Sequence, residues 1–245
     1  MAQLAVDDVQ VRFGGKLALA GLSLTVEPAR VTGLIGPNGA GKTTLFNVVT
    51  GLLSATSGRV ALDGRDISKL PPHRRAKLGV ARTFQRLELF TSLSVRDNVR
   101  VAGEIRNGWA AGPRLNTAAE TERVLALVGL AEVADREVSE LPTGQARRVE
   151  LARALMIHPT VLLLDEPAAG QTEQETIEFG RLAQALAADG LAVCLVEHDM
   201  SLVMNVCETI HVLDMGQLIA TGTPEAVRAD PAVIQAYLGA PEAVA

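Results

Sequence analysis

The stretch "GPNGAGKTT", residues 36–44, decides how the rest of the chain is interpreted. It fits the pattern G-x-x-x-x-G-K-[ST], follows the apolar run "RVTGLIG" at 30–36, and opens a segment of helical character. Glycines let backbone N–H groups turn inward without Cβ clashes, and a helix start adds partial positive charge. The predicted phosphate-binding loop consists of Gly36, Pro37, Asn38, Gly39, Ala40, Gly41, Lys42, Thr43 and Thr44.

Two side chains of this loop predict the cofactors ATP and Mg²⁺. Lys42 is expected to reach the β- and γ-phosphates, and the Thr43 hydroxyl is expected to bind the metal ion. The alternative is a glycine-rich turn that matches the pattern by chance, which happens in roughly one chain of this length in a hundred. The strand before the loop and the helix after it make chance less plausible.

An apolar strand that ends in two carboxylates, "TVLLLDEPAAG" at 160–170, predicts the second half of the site. Asp165 falls at the carboxyl end of the strand, where α/β sheets bind ligands, and is expected to hold Mg²⁺ through water. Glu166 points the other way because successive strand residues alternate. It is therefore the predicted general base for attack on the γ-phosphate. A solvated acidic turn is the alternative.

Three further polar or aromatic positions are candidates for the same site. Gln85 in "ARTFQ" is expected to bridge Mg²⁺ or the attacking water, and His198 in "VEHD" to donate to a γ-phosphate oxygen. Phe13, which precedes the loop, is expected to stack on the adenine ring. The alternatives are an exposed glutamine at a domain junction, an ordinary histidine at a strand end, and a core aromatic.

The order of strand and helix patterns predicts an α/β fold within a single domain, 1–245. Residues 4–12 and 20–26 alternate in polarity and indicate an N-terminal antiparallel β subdomain. After residue 160, strands and helices alternate, which is typical of a mainly parallel core sheet. Residues 86–155 have mostly helical patterns and are predicted to form an inserted helical subdomain.

Composition and charge exclude several other classes of protein. The net charge is −5 and basic residues form no long run, which argues against nucleic acid as a partner. Neither a signal peptide nor an apolar run near the ~20 residues of a membrane span is present, so the chain is expected to be cytoplasmic. Its mean hydropathy of +0.21 leads us to expect surface that partners cover.

The stretch "SELPTGQARRVELARAL", 139–155, opens a helix with an unusual glycine. Thr143 is expected to cap this helix through its hydroxyl, and Gly144 to leave the first N–H groups open to an anion. Because the chain already has one phosphate-binding loop, a second phosphate-seeking helix end makes sense if it serves another molecule. In a head-to-tail arrangement of two copies, the start of this helix in each copy would contact the nucleotide bound to the other. An ordinary capped helix is the alternative.

The motifs "GPNGAGKTT", "TFQ", "LPTGQARRVELARAL", "VLLLDEP" and "VEHD", in this order, resemble the nucleotide-binding subunit of an ABC transporter over essentially the whole chain. The resemblance implies a P-loop NTPase fold and assigns the remaining roles. By this resemblance, Gln85 belongs to the Q-loop and His198 is the switch histidine. Asp165 is the Mg²⁺-coordinating acid and Glu166 the catalytic base. The signature that acts on the partner's nucleotide consists of Thr143, Gly144 and Gln145.

Two departures from the family pattern affect what is expected. Pro142 and Thr143 replace the serine and first glycine of L-S-G-G-Q, so we expect Thr143 and backbone N–H groups to substitute for the missing serine hydroxyl. The segment 170–173, "GQTE", lacks the usual acidic residue near Thr172. We therefore expect altered communication between the two sites, as in a heterodimer with one weaker site.

A finer resemblance is to the ATP-binding subunit of branched-chain amino acid importers, or of a urea or amide relative. It rests on "ARTFQRLELFTSLSVRDNV", the loop around Trp109, "DEPAAG" and "AVIQAYLG". It implies a homodimer or heterodimer at the cytoplasmic face of the membrane, two permease subunits, and an extracytoplasmic solute-binding protein acting indirectly. A soluble ABC-type ATPase acting on DNA or ribosomes and a non-hydrolysing scaffold remain alternatives.

Overall fold

The structure, a computed structural model, describes residues 3–109 and 114–238, so part of the loop predicted around Trp109 lies outside it. The strands are β1 Leu4–Phe13, β2 Lys16–Val26, β3 Arg30–Ile35, β4 Ser57–Leu62, β5 Arg65–Asp66, β6 Val80–Arg82, β7 Val161–Asp165, β8 Ala192–Val196, β9 Thr209–Asp214 and β10 Gln217–Gly222. The helices are α1 Lys42–Thr50, α2 Pro72–Lys77, α3 Val95–Gly108, α4 Thr117–Leu127, α5 Thr143–Leu155, α6 Glu173–Ala188, α7 Met200–Val206, α8 Pro224–Ala229 and α9 Pro231–Leu238.

The strands form two sheets. A six-stranded sheet has the order β10-β9-β3-β8-β7-β6, in which every neighbouring pair except β9 and β10 is parallel. A four-stranded sheet has the order β2-β1-β4-β5, and all its pairs are antiparallel. The predicted α/β class, with a mainly parallel core sheet and an N-terminal antiparallel sheet, is confirmed. Parallel strands end at one edge of the sheet, which is where α/β proteins bind ligands.

The core sheet is covered on both faces, because alternate side chains of its strands pack into two different apolar clusters. On β7, Leu162 and Leu164 pack into one apolar cluster together with Phe179 of α6. Val161 and Leu163 pack into a second cluster together with Phe46 of α1. Since successive strand side chains point to opposite faces, a five-residue strand that is buried throughout must lie between two layers. This rigid double-sided core fixes the strand ends that carry the polar motifs.

The stretch predicted to be helical, 86–155, contains α3, α4 and α5 and two single 3₁₀ turns. Helix α3 starts after Ser94, whose hydroxyl accepts from the Asp97 N–H and so caps the helix. This helix continues to Gly108. The division of the chain at 86 and 155 stays a prediction.

Two local features differ from the sequence expectation. Helix α2 was not expected, because "PPHRRAK" offers no apolar stripe. The C-terminal segment forms two helices and not one continuous helix, because Pro231 has no N–H to continue the hydrogen-bond pattern of α8. Within the part of the chain that the structure describes, no helix combines the length and apolar character needed to cross a bilayer.

Candidate functional site

The predicted phosphate-binding loop joins β3 to α1, and its glycines adopt backbone conformations that other residues rarely adopt. Gly36, Gly39 and Gly41 have φ values of +149°, +81° and +110°. A Cβ on Gly36 would lie 2.0 Å from the Leu213 carbonyl oxygen of β9. The loop is therefore wound tightly against the sheet, and glycine at position 36 is a steric requirement.

Lys42 lies inside this loop. Its Nζ donates to the carbonyl oxygens of Gly36, over 2.6 Å, and Pro37, over 3.1 Å. Burial lowers the pKa of Lys42, while the nearby carboxylates of Glu166 and Asp165 act in the opposite direction. The ammonium group thus lies under the loop, within reach of an anion bound to the loop's N–H groups.

A cavity of about 650 Å³ opens above the loop, a volume within the range of small-molecule sites. Its walls include residues 38–44, Gln85 and Glu166, so the loop and two predicted catalytic residues share one space. Phe13 also lines it and is 52% exposed, which makes it part of the cavity rim and not of the core. Adenine stacking on Phe13 stays a prediction.

Two of the predicted catalytic side chains, Gln85 and His198, lie within hydrogen-bond distance of the third, Glu166. Gln85 Nε2 donates to Glu166 Oε2 over 2.8 Å, and His198 Nε2 is 2.6 Å from Glu166 Oε1. Glu166 has a φ of +49°, an uncommon conformation for a residue other than glycine. Such strain costs about 1–3 kcal/mol and persists only where the surroundings hold it; here the Glu166 N–H donates to the Val196 carbonyl oxygen over 2.9 Å.

Asp165, at the end of β7, is 1% exposed and has one oxygen to offer a metal ion. Its Oδ2 accepts from Arg82, whereas its Oδ1 is buried without a hydrogen-bond partner in the described part of the chain. No group of three His, Cys, Asp or Glu side chains in that part is arranged to hold a metal. Mg²⁺ commonly binds through one or two carboxylates together with substrate phosphates, and this donor set fits it.

The signature segment differs from the sequence expectation at its start. Thr143 is the first residue of α5 and Pro142 is the capping residue, which makes no side-chain hydrogen bond. The prediction that Thr143 caps the helix is therefore wrong, because its backbone is already helical and proline has no side-chain acceptor. Residues 143–145 do not line the cavity above the phosphate loop of their own chain.

The close approach expected at Gly144 is made by the chain itself. A Cβ on Gly144 would lie 2.5 Å from Glu175 Oε1. The same carboxylate accepts from the Thr172 N–H over 2.8 Å and so completes the capping box of α6. This hydrogen bond lowers the pKa of Glu175. A carboxylate thus already lies beside the first turn of α5, and a role toward a second molecule stays a prediction.

Sequence reasoning missed an ion pair within α5 that holds the Gln85 segment. Buried Arg147 donates to the carbonyl oxygens of Phe84, over 2.7 Å, and Gln85, over 2.5 Å. Glu150, 3.3 Å from Arg147, accepts from the Glu88 N–H over 3.1 Å. Burial raises the pKa of Glu150. Opposite charges three residues apart on a buried helix face were the available signal.

Glu197 was also missed, although it directly precedes His198. It is 5% exposed, and its carboxylate accepts from the N–H groups of Ala168, over 2.7 Å, and His198, over 3.0 Å. Burial raises its pKa. The side chain joins the loop after Glu166 to the strand end that carries His198, so it helps to place both predicted catalytic residues.

These features together define a P-loop nucleotide-binding protein: a glycine loop between a parallel strand and a helix, with an acid pair at the end of β7, two strands away in the same sheet. A family model described as "ABC transporter" matches residues 19–169. One described as "Branched-chain amino acid ATP-binding cassette transporter" matches residues 217–243.

Individual proteins match over nearly their full length. The high-affinity branched-chain amino acid transport ATP-binding protein BraF of Pseudomonas aeruginosa is 43% identical, with 96% of this chain and 97% of that protein covered. The lipopolysaccharide export system ATP-binding protein LptB of Escherichia coli strain K12 is 36% identical, with 98% of each covered. A crystal structure of a nucleotide-free ATP-binding cassette from an ABC transporter has a TM-score of 0.88 and 32% sequence identity. The match covers 98% of this chain and 100% of that one.

The chain belongs to the ATP-binding proteins of ABC transporters. The family resemblance stated from the motifs is thereby confirmed. As a member of this family the chain is an ATPase.

Proposed function

We propose that this chain is the ATP-hydrolysing motor subunit of an importer for branched-chain amino acids, bound to two permease subunits at the cytoplasmic face of the membrane. An extracytoplasmic binding protein would deliver the solute to those permeases. The observation that carries the ATPase role is the hydrogen-bonded group of Gln85, Glu166 and His198 beside the phosphate loop. The solute class is supported by the similarity to BraF and by the match over residues 217–243.

Within one subunit, each side chain has a separate task. The loop N–H groups and Lys42 bind the phosphates, and Thr43, Asp165 and Gln85 would hold Mg²⁺. The ion, when bound, shields the phosphate charge and polarises the γ-phosphoryl group. Glu166 accepts the proton of the attacking water, and the hydrogen bonds to Gln85 and His198 hold its two oxygens in place.

Two subunits are needed because residues 143–145 lie away from their own chain's cavity. In a head-to-tail dimer, the start of α5 would complete the partner's site, with Thr143 and backbone N–H groups in place of the usual serine. Nucleotide bound between two subunits stabilises the closed pair more than the open one, which is what a ligand-driven movement requires. The partner is a second copy or a related ATP-binding subunit.

A groove of about 300 Å³ between the core and the helical region fits a permease segment. Large apolar side chains are exposed in and around it, among them Leu52 at 54% and Phe84 at 37%. Glu88 and Arg153 also line the groove and offer both signs of charge. A short amphipathic helix from a permease, with charges flanking an apolar face, has the matching chemistry.

Replacing Leu52 with Glu is expected to abolish copurification of the permeases from detergent-solubilised membranes, because a carboxylate would have to be buried against the apolar partner. The matched control is Ile105→Glu on α3, which is 51% exposed against 54% for Leu52 and does not line the groove. Circular dichroism verifies folding of both. If the permeases still copurify with folded Leu52→Glu protein, this face is not where they bind.

The solute is tested by uptake. Vesicles that contain this chain with its copurified subunits are expected to accumulate labelled leucine when ATP and the binding protein are supplied, and not with a non-hydrolysable analogue. Uptake of urea or acetamide in place of leucine would assign the chain to the amide relatives. ATP hydrolysis without accumulation of any of these solutes would remove the proposed solute class.

A further inference from the structure

Arg82, the last residue of β6, has a buried guanidinium that joins motifs lying far apart in the sequence. Its Nη2 donates to Asp165 Oδ2 and its Nη1 donates to Asn47 Oδ1, each over 2.7 Å. The side chains of Arg82 and Asp165 are 5% and 1% exposed, so the ion pair is shielded from water. It links the strand end that carries the acid pair to helix α1 behind the phosphate loop.

Two aromatic rings fix the plane of this guanidinium. The central carbon of the Arg82 guanidinium lies 5.4 Å from the ring centre of Phe46 and 5.0 Å from that of Phe84. Arginine has a planar fork that stacks on aromatic faces, a geometry that lysine cannot reproduce. The direction from which Arg82 donates to Asp165 is therefore set by the core, by Asn47 and by the residue preceding Gln85.

As a consequence, the two carboxylate oxygens of Asp165 have different environments. Oδ2 is held by Arg82, whereas Oδ1 is buried without a hydrogen-bond partner among the described residues. A buried carboxylate oxygen without a partner is costly, so such an atom in a nucleotide site points to a ligand that satisfies it. The competing explanation is that Arg82 serves only as the counter-charge of a buried acid.

We propose that Arg82 is a positioning residue for Mg²⁺. It holds Asp165 Oδ2 so that Oδ1 is presented to the ion or to its bound water. The inference rests on the proposed nucleotide function and extends it to a residue outside the predicted site. Groups that hold a metal-binding side chain in place typically contribute 10–100-fold to metal affinity. A counter-charge alone would be replaced by any cation, whereas a positioning role needs the fork of arginine.

The test measures nucleotide binding without hydrolysis, in a Glu166→Gln background. A fluorescent ATP analogue is titrated at a series of Mg²⁺ concentrations and again in EDTA. Arg82→Lys keeps the charge and loses the fork. We expect it to raise the Mg²⁺ concentration for half-maximal tight binding about 10-fold, with the affinity in EDTA unchanged. Mn²⁺ binding followed by electron paramagnetic resonance is expected to weaken to a similar extent.

Asn47→Ala provides a second, independent variant. It removes the acceptor of Arg82 Nη1 and leaves both charges of the ion pair in place. Loss of one hydrogen bond of this kind is expected to shift the Mg²⁺ dependence about threefold in the same direction. If Arg82→Lys does not fold, as judged by thermal unfolding, the Asn47→Ala result decides.

The outcomes distinguish the role of Arg82 from the proposed nucleotide-binding function on which it rests. Unchanged Mg²⁺ dependence in the folded variants, with normal binding by the Glu166→Gln parent, overturns the role of Arg82 and leaves the ATPase assignment standing. Absence of nucleotide binding by the Glu166→Gln parent overturns the proposed function itself. An equal loss of binding in Mg²⁺ and in EDTA shows that Arg82 acts as a counter-charge only, and it also overturns the inference.

Discussion

Glu166→Gln is expected to lower steady-state ATP hydrolysis at least ~100-fold while ATP binding is retained, because general-base catalysis contributes about 10²–10⁴-fold. Glutamine has the shape of glutamate and can keep one hydrogen bond to Gln85 or His198, but it cannot accept the proton of the attacking water. Since the γ-phosphate then persists, the variant is also expected to accumulate as an ATP-bound dimer. Phosphate release and light scattering after size-exclusion chromatography measure the two effects.

The matched control for this substitution is Glu132→Gln, at an exposed position away from the cavity. It removes one negative charge without touching the site and is expected to leave turnover within about twofold. Turnover of Glu166→Gln near that of the unaltered protein would remove Glu166 from the mechanism. If the variant saturated with ATP and Mg²⁺ stayed monomeric, and also failed to close with a related partner subunit, the shared-nucleotide dimer would have to be abandoned.

Lys42→Met is expected to weaken ATP binding about 10–100-fold, because hydrogen bonds to charged groups contribute about 1.5–3 kcal/mol each. Methionine has a similar length but no charge to offer the phosphates. Folding is expected to change little, since burial disfavours the ammonium form of Lys42 and lowers its pKa, which offsets the loss of its hydrogen bonds to Gly36 and Pro37. Equilibrium titration with a fluorescent ATP analogue and thermal unfolding without nucleotide measure the two properties.

Lys16→Met is the control for Lys42. Lys16 lines the same cavity but is exposed, so its charge is screened by solvent. Its loss is expected to change ATP affinity less than about threefold. Equal effects of the two substitutions would mean that net positive charge, and not the placement of Lys42 inside the loop, governs binding.

The sequence predicted those parts of the structure that local chemistry determines. A fully apolar strand followed by Asp165 and Glu166 identified β7 and its functional end, and the glycine pattern identified the loop after β3. Contacts between distant segments were out of reach. Arg82 and Asp165 are 83 residues apart, and no spacing rule pairs them. The start of α5 was misjudged because propensity favours Thr143 as a cap, whereas the helix already includes Thr143 and has Pro142 in the capping position.

The contacts of Arg147 and Glu150 have a consequence for how such a subunit adapts. Both side chains form hydrogen bonds to backbone atoms of residues 84–88, and these hydrogen bonds involve none of the side chains of that segment. A substitution at the exposed Leu87 would therefore leave these backbone contacts between α5 and the Gln85 segment intact. Exposed side chains of this segment could thus be exchanged to suit a different membrane partner while the hydrogen bonds that hold the Gln85 backbone stay the same.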